Sequence, residues 1–178
     1  MASASAIVDS VIAAFAPSSI LDVGCGTGAL LDHFRSRGLR VKGVEFSPHG
    51  LRMCDQRKLD VLVWDLRRGN GGDLGQFDVA ICVEVAHQLP ENSADPLVDW
   101  LCRSARQAVV FSANTPGMSD RLRLNEQPHE YWIDKFSKRG FRFRANLTRQ
   151  WRDEWRAAKT APWFYENTLV FAPQQTSA

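Results

Sequence analysis

One short stretch of this chain combines an acid with closely spaced glycines, a pattern suited to holding a nucleotide-like ligand. It reads Asp22-Val23-Gly24-Cys25-Gly26-Thr27-Gly28 and follows the apolar pair Ile20-Leu21. Glycine permits a tight turn and a close approach of the backbone to a ligand, and the apolar-periodic residues that follow predict a helix whose start presents free N–H groups. A pyrophosphate favours bare N–H groups at a helix start, whereas the carboxylate of Asp22 favours a ligand that carries positive charge.

This stretch resembles the first motif of class I S-adenosylmethionine-dependent methyltransferases of the small-molecule type. Its spacing is G-x-G-x-G, not the dinucleotide pattern G-x-G-x-x-G. The resemblance implies S-adenosylmethionine as the cofactor and S-adenosylhomocysteine as the product. A glycine turn in another kind of α/β protein is the alternative interpretation.

A second segment, residues 84–90, is similar to the fourth motif of the same family. The family pattern is an acid, two apolar residues, Glu-His and then Pro. Here His87 stands where the acid is common, and Gln88 stands where the histidine is common. This departure leaves the role of His87 open. The resemblance still implies that residues 83–87 line the methionine end of the cofactor.

Acids that follow predicted strands complete the expected cofactor site. Glu45 ends an alternating segment, and a carboxylate at this place in nucleotide-binding α/β folds accepts hydrogen bonds from ribose hydroxyls. The resemblance implies that Asp65 accepts from the adenine amino group, with a cap or turn role as the alternative. Phe46 is predicted to pack on the adenine, unless it is an ordinary core residue. The expected cofactor-binding residues are Asp22, Gly24, Cys25, Gly26, Gly28, Glu45, Phe46, Asp65, Leu66, Val83 and Glu84.

Methyl transfer is an in-line displacement, so the protein mainly has to bind, align and shield the reactants. A hydroxyl acceptor would also need a general base. His87 and His129 are the candidates because histidine titrates near neutral pH. For each of them, a polar lining role is the alternative. The cysteines and histidines show no metal-ligand spacing, so we expect a metal-free mechanism.

The elements that must position these residues alternate along the chain. Helices are predicted near residues 3–15, 29–37, 47–57, 95–106, 128–139 and 147–158, and strands near 20–23, 39–45, 59–64, 77–83, 108–111, 141–144 and 167–171. Repeated strand–helix alternation with short connections predicts an α/β fold with a doubly wound, mostly parallel sheet. The family resemblance implies seven strands, of which the last is antiparallel. We expect one domain over residues 1–172 and a flexible tail over 173–178.

Two segments are expected to serve the methyl acceptor. Residues 112–130 form a long, irregular stretch, and such loops are usually functional or mobile. Residues 145–166 contain five aromatic residues among several arginines: Trp151, Trp155, Trp163, Phe164 and Tyr165. Two of these rings are expected to pack on the sheet, and the others to wall an acceptor pocket or a lid.

Composition limits the remaining options. With 44% hydrophobic and 24% charged residues the chain is globular, and it shows neither a membrane-length apolar run nor a signal-peptide pattern, which predicts a cytoplasmic protein with free thiols. The net charge of +2 is uneven, because residues 121–160 hold 11 basic against 5 acidic side chains. This asymmetry fits either an anionic acceptor or a solvated helix face.

Three functions follow from these observations. The leading one is methylation of a small molecule, at a hydroxyl oxygen of a sugar or natural product, by a monomer or homodimer. The basic, tryptophan-rich segment also allows a nucleic-acid methyltransferase, against which stand the short chain and the lack of an appended binding domain. The third is a catalytically silent partner protein with the same fold, although such a protein would not need the glycine turn, Glu45 or Asp65.

Overall fold

The computed structural model describes residues 2–69, 71–118 and 124–174. The helices are α1 (Ala2–Phe15), α2 (Ala29–Ser36), α3 (Pro48–Gln56), α4 (Ala94–Ser104), α5 (His129–Ser137), α6 (Ala145–Ala157) and α7 (Pro162–Asn167). The strands are β1 (Ser19–Val23), β2 (Arg40–Glu45), β3 (Val61–Val63), β4 (Phe77–Val83), β5 (Ala105–Ser112), β6 (Phe141–Phe143) and β7 (Thr168–Pro173). Short 3₁₀ turns cover Leu66–Arg68, Ala86–Gln88 and Glu91–Ser93.

All seven strands form one sheet in the order β3-β2-β1-β4-β5-β7-β6. The pairs from β3 to β5 are parallel, and β7 runs antiparallel to both β5 and β6. The expected doubly wound sheet is therefore confirmed, including its antiparallel last strand. After β1 the chain moves outward through β2 and β3 and then returns to place β4 on the other side of β1. This reversal opens a crevice at the carboxyl ends of β1 and β4, where ligands of open α/β sheets bind.

Each face of the sheet is covered by a separate group of buried side chains. One face packs against α4 and α5 through rings such as Trp132 and Phe136, and Phe136 stacks on Phe171 with centroids 4.0 Å apart. The other face packs against α1, α2 and α6. There Trp151 and Trp155 are each 1% exposed and stack with centroids 5.5 Å apart. These two rings therefore serve the core, as expected for two of the five aromatic residues.

The structure corrects several boundaries. The short helix α7 was not expected, because its six residues carry too little periodicity to distinguish a helix from a loop. Strand β3 has only three residues because it lies at the sheet edge. The tail prediction is wrong for Pro173 and Gln174: Pro173 belongs to β7, and the Gln174 N–H donates to the Gly140 carbonyl at 2.7 Å. The remaining tail positions 175–178, and part of the predicted loop at 119–123, lie outside the described residues.

Membrane-spanning helices and metal-ligand clusters are both absent from the described part of the chain. No helix in it has the length and apolar character needed to cross a membrane. No group of three or more His, Cys, Asp or Glu residues in it could hold a metal ion. All four cysteines are free thiols.

Candidate active site

A cleft of about 610 Å³ lies at the carboxyl ends of β1, β2 and β4. Ten of the eleven residues expected to bind the cofactor line it; they are Asp22, Gly24, Cys25, Gly26, Glu45, Phe46, Asp65, Leu66, Val83 and Glu84. Further lining residues come from the connections around them: Thr27, Ala29, Leu30, Val44, Ser47, Trp64, Arg67, Val85, Gln88, Leu89, Leu124, Trp163 and Phe164. Of this second group, Val85, Leu124, Trp163 and Phe164 lie in segments predicted to line the cofactor or the acceptor.

The glycine turn connects β1 to α2 and forms the floor of the cleft. The N–H groups of Gly24 and Cys25 both donate to the Val44 carbonyl, at 2.8 and 3.0 Å, which fixes the turn to β2. Gly24 has φ +81°, and a Cβ there would lie 2.4 Å from a methyl of Val85. Only glycine therefore fits this position. Gly28 is placed differently from the prediction, because it caps α2 and does not line the cleft.

Asp22 is the last residue but one of β1, beside this turn, and is only 3% exposed. Its carboxylate makes no hydrogen bond or ion pair with any residue that the structure describes. Burial, and secondarily the negative charge of Glu45, raise the pKa of Asp22 from 3.8 to about 7. A buried carboxylate in this setting ionises most readily beside a cation. The site therefore fits a positively charged ligand better than a neutral or anionic one.

Glu45 lies at the end of β2 and connects the glycine turn to the start of α3. One carboxylate oxygen accepts from the Gly26 N–H at 2.7 Å, and the other accepts from the N–H groups of Phe46 and Ser47 at 2.7 and 2.6 Å. These bonds hold the carboxylate rigidly on the cleft wall. Since each carboxylate oxygen has about two acceptor sites, the oxygen bonded to Gly26 can accept one more hydrogen bond, for example from a ribose hydroxyl.

Asp65 and Phe46, the two residues predicted to recognise adenine, are both in contact with Arg67. The carboxylate of Asp65 accepts from the Arg67 side chain through both oxygens, at 2.7–3.1 Å, and also from the Arg67 backbone N–H. The hydrogen bond from the Arg67 side chain is the main cause of a lowered pKa of Asp65. The Arg67 guanidinium lies 4.8 Å from the Phe46 ring centroid. Asp65 thus also fills the cap role left open above, and no sequence signal had indicated Arg67.

Glu84 follows β4 in a left-handed backbone conformation, with φ +61°. Such a conformation is strained for a residue with a side chain and persists only where neighbours enforce it. Here the Glu84 N–H donates to the Ser112 carbonyl and hydroxyl, at 3.1 and 2.9 Å. The Glu84 carboxylate accepts from the Ser112 hydroxyl at 2.7 Å and from Asn167 at 3.4 Å. Residues of β5 and of the end of α7 therefore hold the Glu84 side chain at the cleft.

The two histidines predicted as general bases do not line the cleft. His87 is 1% exposed, and its Nδ1 accepts from the Asn114 N–H at 3.2 Å. Its carbonyl accepts from the N–H groups of Leu124 and Asn125. His129 begins α5 and is partly buried; burial, and then the positive charge of Arg152, lower its pKa. His87 serves as an anchor for the loop above it, and the base role stays a prediction for both.

The end of the cleft beyond the glycine turn is apolar and aromatic. Leu30, Leu89, Leu124, Trp163 and Phe164 line it, with Gln88. Leu124 and Trp163 are 58% and 48% exposed, which is high for such large apolar side chains. They lie in the two segments expected to serve the acceptor, 112–130 and 145–166. Among the lining residues that the structure describes, one is basic, Arg67, and it lies at the opposite end.

A glycine turn, three further acids and a central crevice in a β3-β2-β1-β4-β5-β7-β6 sheet define the class as Rossmann-like methyltransferases. Residues 21–108, about half of the chain, match a family model described as a methyltransferase domain. The chain belongs to the class I S-adenosylmethionine-dependent methyltransferases, which confirms the expected family and its cofactor.

Individual relatives match over limited regions. A bifunctional methionine biosynthesis protein MetXA/MetW of Rhodopirellula baltica is 33% identical over 56% of this chain and 17% of its own length. A ubiquinone biosynthesis O-methyltransferase of Ralstonia nicotianae is 32% identical over 44% of this chain and 36% of its own length. The chain thus spans little more than a third, or less, of these relatives.

The fold is shared with a solved structure over nearly the whole chain. S-adenosylmethionine-bound CalS10, an amino pentose methyltransferase from Micromonospora echinaspora, superposes with a TM-score of 0.72 at 18% identity. The superposition covers 96% of this chain and 90% of CalS10. At this level of identity the likeness establishes the fold.

Proposed function

We propose that this protein transfers the methyl group of S-adenosylmethionine to a small-molecule acceptor. The observation that carries this proposal is the gathering of four carboxylates in one cleft: Asp22, Glu45, Asp65 and Glu84. They come from the ends of successive strands, and Arg67 is the only cation in the described part of the lining. A sulfonium ligand with an ammonium group offers the positive charge that this arrangement lacks.

Within this proposal the residues of the chain bind and orient. The bound cofactor supplies an electrophilic methyl group. Asp22 stabilises positive charge beside the glycine turn, Glu45 accepts from the ribose hydroxyls, and Asp65 accepts from the adenine amine once Arg67 yields one of its bonds. Because alignment of reactants can supply about 7–11 kcal/mol of a barrier, this positioning is the main contribution asked of the protein.

The acceptor is proposed to be a sugar or natural product that is methylated at a hydroxyl oxygen. Trp163 and Phe164 offer it an aromatic wall, on which a sugar ring or a planar group can pack. Glu84 is the one acid in the described lining outside the glycine turn and the adenine end, and this supports the proposal that it accepts the hydroxyl proton. None of the described residues at this end of the cleft is basic, so the described lining favours a neutral acceptor over an anionic one.

An amine acceptor is the second candidate, favoured by the same lack of basic residues. The Glu84 carboxylate and the Trp163 ring both attract an ammonium group, the ring through its negative face. Glu84 is then proposed to take the proton from the ammonium group, so that the nitrogen lone pair is free to accept the methyl group. A pair of acceptors that differ only in an amine and a hydroxyl group separates the two candidates. Faster turnover of the alcohol supports O-methylation, and faster turnover of the amine supports N-methylation.

The other two functions find less support in the cleft. A nucleic-acid acceptor would need cations to contact phosphates, and the one cation in the described lining, Arg67, is held by Asp65. A silent partner protein would have no use for four carboxylates directed into one cleft. Residues 112–130 and 145–166 are proposed to cover the acceptor, within one domain over residues 1–172.

Calorimetric titration with S-adenosylmethionine and S-adenosylhomocysteine tests the proposal. We expect micromolar binding of both, weakened at least tenfold by Glu45→Gln, because the neutral amide loses charge-assisted hydrogen bonds worth about 1.5–3 kcal/mol each. Asp55→Asn, which removes an exposed acid of α3, is the matched control and should bind as the parent protein does. No detectable binding of either ligand to the parent protein would refute the methyltransferase proposal.

A further inference from the structure

The described basic residues of 124–160 do not line the cofactor cleft. Part of their charge lies in a second cavity of about 990 Å³, here named the basic groove. The groove is lined by Ala14, Phe15, Arg106, Gln107, Arg142, Arg144, Leu147, Ala172, Pro173 and Gln174. Arg106 and Gln107 are the second and third residues of β5, so the groove lies at the amino ends of the parallel strands. The cofactor cleft lies at their carboxyl ends, on the opposite edge of the sheet.

Strand alternation explains why arginines reach the groove. Phe141 and Phe143 belong to the core on the α5 side of the sheet, and the Phe143 ring lies 5.8 Å from that of Phe171. Because successive strand residues point to opposite faces, Arg142 points to the other face, and Arg144 follows it two residues later. Both therefore reach the side covered by α1 and α6.

The third arginine is held in place by a buried acid. Arg106 Nε donates to an oxygen of Asp78 at 3.2 Å. The other oxygen of Asp78 accepts from the N–H and hydroxyl of Ser18 at 2.7 and 2.5 Å. The hydrogen bonds from Ser18, reinforced by the charge of Arg106, lower the pKa of Asp78 to about 2. Asp78 is thus ionised at neutral pH and fixes Arg106 at the groove.

The groove has an excess of positive charge. No acidic residue is among its lining residues, and the guanidinium groups of Arg142 and Arg144 make no ion pair or hydrogen bond with any part of the chain that the structure describes. Like charges in one cavity repel unless an anion lies between them. Guanidinium groups bind phosphate through two parallel N–H···O bonds, a geometry that lysine cannot supply.

The rest of the lining suits a ligand that is more than an inorganic ion. Phe15, Leu147 and Pro173 provide apolar surface beside the arginines, and Gln107 and Gln174 provide amide groups that donate and accept. A volume of about 990 Å³ is in the upper range of small-molecule pockets. This combination matches a molecule with a phosphate part and a planar or apolar part.

We propose that the basic groove binds a small phosphate-bearing molecule of the nucleotide kind, with its phosphates on Arg142 and Arg144. Arg106 contributes a third positive charge, and the base or an equivalent apolar part packs on Phe15 and Leu147. This site is separate from the cofactor cleft and shares no lining residue with it. The proposal therefore stands whether or not the protein transfers methyl groups.

The test uses UDP, pyrophosphate and uridine as probes in calorimetry with the full chain. A pyrimidine nucleotide is chosen because the cofactor cleft is expected to take adenine. We expect UDP to bind at least tenfold more tightly than uridine, with pyrophosphate between them, because charge-assisted hydrogen bonds from guanidinium to phosphate are stronger than neutral ones. Arg142→Ala and Arg144→Ala should each weaken UDP binding at least fivefold.

Arg149→Ala is the matched control, since Arg149 is an exposed arginine on α6 outside the groove. It should leave UDP affinity within twofold of the parent value. Equal loss in the Arg149 variant would show a general charge effect and overturn the proposal, as would an absence of UDP binding to the parent protein. Binding of a single-stranded RNA oligonucleotide more than tenfold more tightly than UDP would also overturn it, in favour of a nucleic-acid surface. Titration with S-adenosylhomocysteine in the same variants reports separately on the cofactor cleft.

Discussion

Asp22 is the residue at which the stability of the fold and the binding of a cation are in opposition. Its carboxyl is buried at the end of β1, and its pKa is raised from 3.8 to about 7. The folded protein therefore favours the protonated form at pH values where the unfolded chain is already ionised. Replacement by asparagine removes the charge while nearly keeping the shape, so Asp22→Asn should stabilise the protein in the absence of ligand.

The size of this effect follows from the pKa shift. A rise of about 3 pH units corresponds to about 4 kcal/mol, at 1.36 kcal/mol per unit. Because the pKa is raised on folding, the stability associated with the bound proton is fully present below pH 3.8 and is lost as the pH rises through about 7. A buried amide without a partner still costs about 1–3 kcal/mol. The net gain for Asp22→Asn is thus about 1–3 kcal/mol above pH 8, or about 3–10 °C in Tm for a domain of this size.

Thermal unfolding at pH 5 and pH 8 without ligand measures this gain. The Tm advantage of Asp22→Asn over the parent protein should be small at pH 5 and largest at pH 8. Asp55→Asn, in which an exposed acid changes in the same way, should show no advantage at either pH. An equal or lower Tm for Asp22→Asn at pH 8 would refute the argument that Asp22 is a destabilising buried charge.

The same reasoning gives the pH dependence of cofactor binding. A cation beside Asp22 favours the ionised form of its carboxyl. With a pKa of about 7, about one-tenth of the ligand-free protein has Asp22 ionised at pH 6, and about nine-tenths at pH 8. The affinity for S-adenosylmethionine should therefore rise roughly tenfold between these pH values. In Asp22→Asn the affinity should be lower at pH 8, and this rise should be lost. An unchanged pH dependence in the variant would show that another group titrates.

Three further predictions test other parts of the site. Gly28→Ala should lower the free energy of unfolding by more than about 2 kcal/mol, because the φ of +74° at Gly28 and a Cβ contact of 2.4 Å with a leucine methyl both oppose a side chain. Gly38→Ala, whose Cβ would meet no atom within 4 Å, should lower it by about 1–2 kcal/mol, and chemical denaturation of both variants measures the difference. Trp163→Ala should raise the KM for the acceptor at least about fivefold through lost aromatic contact area, while calorimetry shows an unchanged Kd for S-adenosylhomocysteine. His129→Ala should keep kcat within about threefold of the parent value. His87→Ala should lower Tm, because it loses a buried hydrogen bond worth about 1 kcal/mol. A large loss of kcat at normal Tm in either variant would support a general-base role for that histidine.

The sequence predicts the site best where the chemistry is local. The glycine turn could be predicted because positive φ values at Gly24, Gly26 and Gly28 require residues without a side chain. Glu45 could be predicted because it ends a strand, and the carboxyl ends of parallel strands meet at one edge. The role of Asp65 was implied by the family resemblance. The alternation of apolar strands and amphipathic helices was likewise sufficient for the fold.

The sequence fails where a side chain is placed by residues far away along the chain. Glu84 is held by Ser112 and Asn167, which are 28 and 83 residues away, so neither its conformation nor its orientation could be read locally. His87 lies in the segment that is similar to the family's fourth motif, at a position where it departs from that motif, and its contact with Asn114 places it outside the cleft lining. Arg67 is a different case, because its partner Asp65 is close by in sequence. A surface arginine after a strand has many possible partners, so the sequence does not indicate that it pairs with Asp65.

The energetics of Asp22 also bear on whether the protein is a catalyst or a silent scaffold. A role confined to folding or to binding another protein would gain from a neutral residue at this position, because the ionised carboxylate costs stability at neutral pH. Glu84 presents a similar case, since its strained backbone is tolerated only through the bonds to Ser112. Two unfavourable features at the tips of β1 and β4 are thus directed into the same cleft. The buried charge of Asp22 attracts a cationic ligand, and the strained backbone of Glu84 positions a second carboxylate in the same cleft. Neither feature has an equivalent benefit for the fold.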